Sequence, residues 1–317
     1  MSQQINLDTL LRPANWDEYI GQNDTKRAIQ VHLSASRERG HQPEHMLLYG
    51  PPGLGKTTLS MLIANEIGGQ LKTTSGPALE KVGDVASMIT NLQPGDILFV
   101  DEIHRLNKMI EEVLYPALER GVLDIMVGKG PSARTIQLDL PPFTLVAATT
   151  RIALLSAPLR ARFSGGTYRL DPYNDSEMAH IINRSAGLLD ISLSPDAVEV
   201  LVAASRATPR TANYLIKRFR DYAEVHKTAY DGPSAVAALE MLGIDNRGLG
   251  KIDRDYLQTL ATKFNGGPTG IKTMAAAMDE DEGTLEDVIE PYLMRLGFIE
   301  RTARGRELTD HGRKHIL

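Results

Sequence analysis

One segment constrains the fold of this chain more than any other. Residues Gly50–Thr58 read GPPGLGKTT and match the pattern G-x-x-x-x-G-K-[ST] in full. The apolar run Met46–Tyr49 precedes this segment, and an apolar pattern with helical spacing follows it over Leu59–Ile67. A strand, a glycine-rich turn and a helix N-terminus in this order form a cradle of backbone N–H groups for phosphate. The alternative is a glycine-rich loop that only turns the chain.

The residue types within Gly50–Thr58 each suit the binding of a nucleotide. The glycines let backbone N–H groups curl around the β-phosphate, and the helix dipole adds positive potential. Lys56 is expected to reach the β- and γ-phosphate oxygens, and the Thr57 hydroxyl is a ligand for Mg²⁺. The sequence therefore predicts ATP and Mg²⁺ as ligands of this loop.

Two adjacent carboxylates end a second apolar run. Asp101 and Glu102 directly follow Ile97–Val100. Burying two neighbouring negative charges without a cation is unfavourable, and a metal ion removes that difficulty. We assign Asp101 to the Mg²⁺ ligands and Glu102 to the base that orients and deprotonates an attacking water, so the predicted reaction is hydrolysis. The alternative is a solvated turn at the end of the strand.

Further polar groups in the first half are candidates for contact with the phosphates. Thr149 and Thr150 end the strand-like run Phe143–Ala148, and we predict that Thr150 senses the γ-phosphate. The alternative is that both hydroxyls only end the strand. Arg160 and Arg162 lie in a segment without a nearby acid and are candidate arginine fingers, acting on their own chain or on a neighbour.

Arg210 lies at the start of a predicted helix, after Thr208 as the cap and Pro209 at the first position. A positive charge at a helix N-terminus is unfavourable by roughly 0.3–1 kcal/mol, which indicates an anion nearby. A solvated surface arginine is the alternative.

The pattern of elements changes twice along the chain. Apolar strand-like runs alternate with helical patterns over residues 1–172, which predicts an α/β domain with a parallel sheet. Residues 173–243 are helical in pattern and form a predicted lid domain, whose first helix begins with a capping box of Asn174 and Glu177. Residues 244–317 follow a glycine-rich linker and contain helices and a short hairpin, which is the outline of a winged-helix domain.

The charge balance excludes a general attraction for polyanions. The chain has 35 Lys and Arg against 40 Asp and Glu, a net charge of −5, so a nucleic-acid site has to be local. Residues 295–317 are such a place, with six basic and three acidic residues. The absence of cysteine excludes thiolate metal sites and suits a reducing compartment. Without a signal-peptide pattern or a long apolar run, we expect a cytoplasmic protein that makes no membrane contact.

Several segments together resemble the RuvB family of AAA+ ATPases, the bacterial motors of Holliday-junction branch migration, over essentially the whole chain. The distinctive ones besides the phosphate loop are Leu11–Pro13, Tyr19–Gln22, Asp101–Leu106, Leu140–Arg151, Thr208–Arg210, Glu290–Leu293 and Arg301–Arg306. The resemblance implies a parallel-sheet AAA+ domain, a small helical lid and a C-terminal winged-helix domain.

The resemblance also implies a nucleotide site to which several segments contribute. The residues that it assigns to nucleotide binding are Leu11, Arg12, Ile20, Gly50, Gly53, Gly55, Lys56, Thr57, Thr58, Glu119, Arg120, Gly121, Arg162, Tyr173 and Arg210. Among them, Leu11 and Arg12 would line the adenine pocket, with Tyr173 packing nearby. Arg162 would be the arginine finger that reaches a neighbouring subunit's ATP, and Arg210 the second sensor in the lid.

Two surfaces are candidates for macromolecular partners. Arg301, Arg304 and Arg306 on the predicted wing are expected to contact the sugar-phosphate backbone of double-stranded DNA without reading sequence. The alternative is a solvated hairpin tip. A second predicted hairpin, residues 122–140, alternates apolar and polar residues. The resemblance implies that RuvA docks on it, and the alternative is packing against the chain's own ATPase core.

The expected function is that of an ATP hydrolase that pumps duplex DNA to drive branch migration of Holliday junctions in recombination and repair. The resemblance implies a homohexameric ring that RuvA loads onto the junction, with RuvC as a further partner. The alternatives are another AAA+ ATPase, such as a clamp-loader-like enzyme, and a winged-helix regulator that only switches with nucleotide. Glu102 argues against a mere switch, because a switch has no use for a water-activating carboxylate.

Overall fold

The apolar runs of the first half form a central parallel sheet. The computed structural model describes residues 6–127 and 134–316. The first seven strands in chain order are β1 (Met46–Tyr49), β2 (Leu71–Ser75), β3 (Ile97–Asp101), β4 (Val122–Val127), β5 (Arg134–Asp139), β6 (Thr144–Thr149) and β7 (Thr167–Arg169). Five of them form a sheet in the order β2-β3-β6-β1-β7, and all neighbouring pairs run parallel. The predicted parallel sheet is confirmed.

Helices before and between the strands cover this sheet and complete its core. They are α1 (Leu7–Leu10), α2 (Asn23–Glu38), α3 (Lys56–Ile67), α4 (Val82–Thr90), α5 (Lys108–Arg120) and α6 (Ala157–Arg160). The apolar residues of β1, β3 and β6 are buried, as expected for strands that have covered faces on both sides. Because the strands are parallel, the carboxyl ends of β1, β3 and β6 lie together at one edge.

Between α5 and β6 the chain forms a separate antiparallel hairpin, β4–β5. Its predicted turn, 128–133, lies outside the described residues. Leu123, Ile125 and Leu138 on its apolar face pack against the core of the sheet domain. Ile136, directly opposite Ile125 in the register, is 47% exposed. The apolar face therefore packs on its own domain in part, as the alternative held, and is open to solvent at Ile136.

Four helices follow the sheet domain and form the lid: α7 (Asp175–Leu188), α8 (Pro195–Ala204), α9 (Pro209–His226) and α10 (Gly232–Met241). The predicted capping box is present, because the Asn174 side chain accepts from the Glu177 N–H at 2.9 Å and Glu177 accepts from the Asn174 N–H at 3.0 Å. The predicted start of α9 at Pro209 is also confirmed. The tightly packed pair α8 and α10 buries Leu201 and Leu239.

The C-terminal part is a winged helix. Its elements are α11 (Lys251–Thr262), α12 (Ile271–Met278), α13 (Glu282–Thr284), α14 (Glu290–Arg295), the antiparallel strands β8 (Ile299–Thr302) and β9 (Gly305–Leu308), and α15 (Asp310–Ile316). Between α13 and α14 the helix continues as one π-helical stretch, Leu285–Ile289. A separate apolar core is built around Tyr256, Leu257, Leu293 and Phe298.

The chain divides into two units. One comprises residues 1–177 with Thr208–Arg210, and the other comprises 178–207 with 211–317. The short segment Thr208–Arg210 thus belongs to the sheet unit, although the rest of α9 belongs with the lid and the winged helix. Within residues 6–127 and 134–316, no helix has both the length and the apolar character needed to cross a membrane.

Candidate nucleotide site and wing

The phosphate loop leaves β1 and enters α3 through three glycines with positive φ. Gly50, Gly53 and Gly55 have φ values of 141°, 81° and 99°, a region that favours glycine. Close approach adds a second constraint. A Cβ atom on Gly55 would lie 2.8 Å from the Tyr19 hydroxyl, and one on Gly53 would lie 3.2 Å from the Arg210 Cβ. The contact at Gly55 leaves no room for a side chain, and the one at Gly53 is tight, so space and φ both favour glycine in this loop.

Lys56 is buried beneath this loop. Its Nζ donates hydrogen bonds of 2.8 Å to the carbonyl oxygens of Gly50 and Pro51. Burial lowers the Lys56 pKa to about 8, although the carboxylates of Asp101 and Glu102 oppose the shift. An ammonium group that is removed from water in this way gains most from an anionic partner. The phosphate groups of a bound nucleotide would supply that partner.

The acidic pair lies at the same edge of the sheet. Asp101 ends β3, and Glu102 begins the next turn in the left-handed region with φ 51°. The Asp101 carboxylate accepts the Glu102 N–H at 2.9 Å. The Glu102 carboxylate is 3.6 Å from the Nε2 of His104, whose Nδ1 is 2.9 Å from the Thr149 hydroxyl. The sequence reasoning gave His104 no role and favoured Thr150 over Thr149, whereas His104 and Thr149 connect the carboxylate to the end of β6.

The two threonines at the end of β6 differ in burial and in hydrogen bonding. Thr149 is fully buried, and its hydroxyl also accepts the Arg151 N–H at 3.0 Å. Burial lowers the pKa of His104, although the neighbouring Glu102 opposes the shift. Thr150, the predicted γ-phosphate sensor, is half-buried one residue beyond the strand. Its hydroxyl group therefore lies at the carboxyl edge but outside the buried network.

The donor set fits a magnesium nucleotide better than a metal held by protein alone. Among the residues that the structure describes, no group of three His, Asp or Glu side chains forms a metal cage. Mg²⁺ commonly binds one or two protein oxygens and completes its shell with water and phosphate. Thr57 at the start of α3 and Asp101 at the end of β3 supply such oxygens.

Several residues assigned to the adenine side converge near the loop. Leu11 and Tyr173 are buried, and Ile20 is half-buried. The Arg12 guanidinium donates to the Met61 sulfur on α3 at 3.4 Å. The Tyr173 hydroxyl donates to the Leu54 carbonyl at 3.2 Å. These contacts bring both N-terminal and late segments of the sheet unit to the phosphate loop.

Arg210 also reaches the loop. Its backbone N–H lies 3.4 Å from the Gly53 carbonyl. Arg210, at the start of α9, therefore lies directly on the phosphate loop.

Arg162 and Glu119 form a separate group. The Arg162 guanidinium pairs with the Glu119 carboxylate at 2.8 Å and lies over the Tyr115 ring, 4.4 Å from its centroid. The Arg162 Nε is buried and has no hydrogen-bond partner among the described residues. Leu118, next to Glu119, is held by His45, the residue immediately before β1.

Arg162 thus lies at the amino edge of the sheet, opposite the chain's own phosphate loop. The segment after Arg162 also bonds there, because the Gly165 N–H donates to the His45 carbonyl at 2.9 Å. The two edges are separated by the length of β1, roughly 13 Å for four residues. Glu119, Arg120 and Gly121 end α5 at this same amino edge, away from the chain's own phosphate loop. Their predicted proximity to a nucleotide stays a prediction.

The wing does not present all three predicted arginines to solvent. The Arg304 side chain is 79% exposed, and that of Arg301 is 46% exposed. Arg306 is buried, with its side chain only 9% exposed, and pairs with Glu290 at 2.9 Å and with Glu286 at 2.6 Å. Arg306 therefore differs from Arg304 in being paired inside the domain, and its predicted contact with DNA stays a prediction.

Glu290 is the centre of this buried group. It is fully buried, and its carboxylate accepts from Tyr256 at 3.0 Å, from Arg306 at 2.9 Å and from Arg301 at 2.7 Å. Removing one member of a buried ion pair typically costs about 3–5 kcal/mol, because the remaining charge stays desolvated.

Glu290→Ala is expected to lower the free energy of opening of the winged helix by about 3–5 kcal/mol. Glu300→Ala removes an exposed carboxylate from β8 and is the control, with an expected change below about 0.5 kcal/mol. Hydrogen exchange of the amides in residues 246–317 measures both effects. Equal protection in the two variants would contradict a structural role for the buried pair.

Three features define a P-loop ATPase of the AAA+ class: a phosphate loop that leads from β1 into a helix, an acidic pair at the end of β3 in the same sheet, and a helix start with Arg210 on the loop. Three family models match consecutive segments of the chain. They describe the Holliday junction DNA helicase RuvB P-loop domain at 11–170, the RuvB AAA lid domain at 173–245 and the RuvB C-terminal winged helix domain at 246–317. The chain belongs to the RuvB family.

Solved structures agree with this membership. The chain is similar to the RuvB Holliday junction branch migration motor of Thermotoga maritima, with 44% identity and a TM-score of 0.88, covering 97% of this chain and 98% of that chain. A point mutant of the same protein gives 44% identity and a TM-score of 0.89, covering 96% and 98%. The predicted fold class, ATP hydrolase class and family are confirmed.

Proposed function

We propose that this chain is a subunit of a ring that hydrolyses ATP with Mg²⁺ and moves double-stranded DNA through Holliday junctions in the cytoplasm. The observation that carries the proposal is the position of Arg162. It lies at the opposite edge of the sheet from its own phosphate loop, next to the exposed Glu119 carboxylate. A cation placed there acts on ATP only when the ATP belongs to a neighbouring subunit. Repetition of such a head-to-tail contact closes a ring where the rotation between subunits divides a full turn.

Within each site, one group of residues would hold the phosphates and the magnesium ion. Lys56 and the N–H groups of Gly53 and Gly55 would hold the β- and γ-phosphates. Thr57 and Asp101 would hold Mg²⁺, which neutralises charge on the phosphate oxygens.

The remaining groups in each site would act on the reacting γ-phosphate. Glu102 would orient the attacking water and accept its proton. Thr150 would contact the γ-phosphate, and Arg210 would bind it from the lid. The neighbour's Arg162 would stabilise the charge that develops as the phosphoryl group leaves.

The proposed DNA contact is the exposed part of the wing, Arg304 and Arg301. A motor that passes over every sequence needs contacts to phosphate and not to base edges. The helices of the winged domain support this view, because Glu282, Glu286 and Asp287 are acidic and would repel phosphate.

Arg304→Ala is expected to weaken duplex binding equally for all sequences and to reduce the slope of log K against log salt by about 1. Arg304→Lys retains the charge and is the matched control with an unchanged slope. Fluorescence anisotropy of a labelled duplex over a salt series measures both. An unchanged slope in Arg304→Ala would remove this arginine from the interface.

The exposed apolar residue of the β4–β5 hairpin supports a docking role for it. Ile136 is 47% exposed on the face whose other members pack against the sheet domain. We propose that RuvA covers this position.

The function is tested by mixing the protein with Mg-ATP, RuvA and either a synthetic four-way junction or a linear duplex of the same arms. We expect separated arms from the junction only, and only with hydrolysable ATP. Strand products from the duplex alone, or no ATP-dependent product from the junction, would contradict the proposal.

A further inference from the structure

The loop between α8 and α9 has an unusual backbone. Arg206 and Ala207 are consecutive non-glycine residues with φ values of 53° and 51°. Left-handed conformations at such residues are unfavourable and persist only where the surroundings hold them. The contacts that hold this loop come from the winged helix.

Three contacts fix the Arg206 side chain. Its Nε donates to the Gly248 carbonyl at 2.8 Å, and its guanidinium forms an ion pair with Asp253. Its Cζ lies 4.6 Å from the centroid of the Tyr292 ring. The Asp253 side chain is only 3% exposed and also accepts the Gly250 N–H at 2.8 Å. Arg206 is therefore bonded to the start of α11 and stacked on α14 at once.

The winged helix also holds the Arg206 backbone. The Arg295 side chain donates to the Arg206 carbonyl. The Arg295 guanidinium also lies 4.9 Å from the centroid of the Tyr292 ring, on which Arg206 stacks as well. A Cβ atom on Gly248 would lie 2.4 Å from the Ala204 carbonyl, so the segment before α11 lies directly against the end of α8. In agreement with these contacts, residues 178–207 and 211–317 form one unit.

The other end of the same loop lies in the sheet unit. Thr208–Arg210 is assigned to that unit, and the Arg210 N–H lies 3.4 Å from the Gly53 carbonyl. Only three residues separate Arg206 from Arg210, a span of at most roughly 14 Å. The chain therefore connects the segment on the phosphate loop to Arg206 through a short stretch.

We propose that Arg206 is a positioning residue that transmits movement of the Thr208–Arg210 segment to the DNA-contacting winged helix. This inference rests on the function proposed above. Arg206 touches no nucleotide and no DNA in this scheme. Its ion pair with Asp253, its bond to Gly248 and its stacking on Tyr292 hold the winged helix to the loop that leads to Thr208–Arg210.

The test compares Arg206→Lys with the wild type. Lysine keeps the positive charge but cannot stack on Tyr292 and bond to Gly248 and Asp253 together. The measured quantity is the number of junction arms separated per ATP hydrolysed, with RuvA and Mg-ATP present. We expect this ratio to fall at least fivefold, while ATP hydrolysis without DNA and duplex affinity stay within twofold of the wild type.

Arg218→Lys is the matched control, because it makes the same substitution in an exposed ion pair with Asp221 on α9. Its ratio is expected to equal that of the wild type. Asp253→Asn changes the other member of the buried ion pair. It is expected to lower the ratio of arms separated per ATP as Arg206→Lys does.

Three outcomes would overturn the inference. The first is an unchanged ratio in Arg206→Lys. The second is a loss of DNA-free hydrolysis in proportion to arm separation, which would assign Arg206 to the nucleotide site. The third is loss of cooperative folding in both variants, which would assign the pair to stability alone. Failure of the wild type to separate arms would instead contradict the proposed function.

Discussion

Glu102→Gln is expected to bind Mg-ATP with wild-type affinity and to lose hydrolysis by a factor of about 10²–10⁴. The amide keeps the shape of the side chain at the carboxyl edge of β3 but cannot accept a proton from water. Lys56, Thr57 and the loop N–H groups are untouched, so the cradle that holds the phosphates stays intact. Single-turnover hydrolysis and binding of a fluorescent ATP analogue separate the two effects.

Glu80→Gln is the control for this substitution, because Glu80 is an exposed glutamate of the same unit. Its turnover is expected to match that of the wild type. Asp101→Asn should differ from Glu102→Gln by weakening the magnesium dependence of binding, since Asp101 is the proposed metal ligand. Wild-type turnover in Glu102→Gln would reject the assignment of the base, and loss of binding would place Glu102 among the groups that hold the nucleotide.

Arg162→Ala is expected to reduce turnover of the assembled protein by about 10³–10⁵, the usual contribution of an arginine finger. The structure predicts further that the defect lies on the neighbour's ATP and not on the chain's own. Arg162 is paired with Glu119 at the amino edge of the sheet, whereas its own Lys56 lies at the carboxyl edge.

Mixing two inactive variants tests this arrangement. Arg162→Ala retains a working phosphate loop, and Glu102→Gln retains a working finger. In a random equal mixture, roughly a quarter of the head-to-tail interfaces combine the two intact halves. We expect turnover to return to a corresponding fraction of the wild type. Two mixed variants that stay as inactive as each alone would show that Arg162 acts on its own chain.

Arg160→Ala is the matched control, since Arg160 is an exposed arginine two residues earlier. Full activity in this variant, alone and in mixtures, would confirm that the loss in Arg162→Ala does not come from general loss of charge in this segment.

Local motifs made most of the sheet unit predictable from the sequence. The phosphate loop specifies its own backbone through the glycines at Gly50, Gly53 and Gly55, and apolar runs mark the buried strands. Both signals arise within about ten residues, where spacing determines conformation. The capping box at Asn174 and the helix start at Pro209 were predictable for the same reason.

Contacts between distant segments were not predictable in this way. Glu119 and Arg162 meet across 43 positions, and Arg206 and Asp253 across 47. Neither pair leaves a signal in spacing, because each depends on how the elements pack. Arg306 is different, since its position in β9 carried a usable signal. It shares the inward face with Leu308, two residues later, and strict alternation along the strand would have marked it as buried.

The central claim is that magnesium-supported ATP cleavage at the edge formed by β1 and β3 supplies the energy for work on DNA. The most direct measurement is release of inorganic phosphate from ATP by the purified wild-type protein in the presence of duplex DNA and RuvA. We expect many turnovers per subunit, abolished when magnesium is withheld and when Glu102 is changed to Gln. Phosphate release no faster than that of Glu102→Gln under the same conditions would contradict the account.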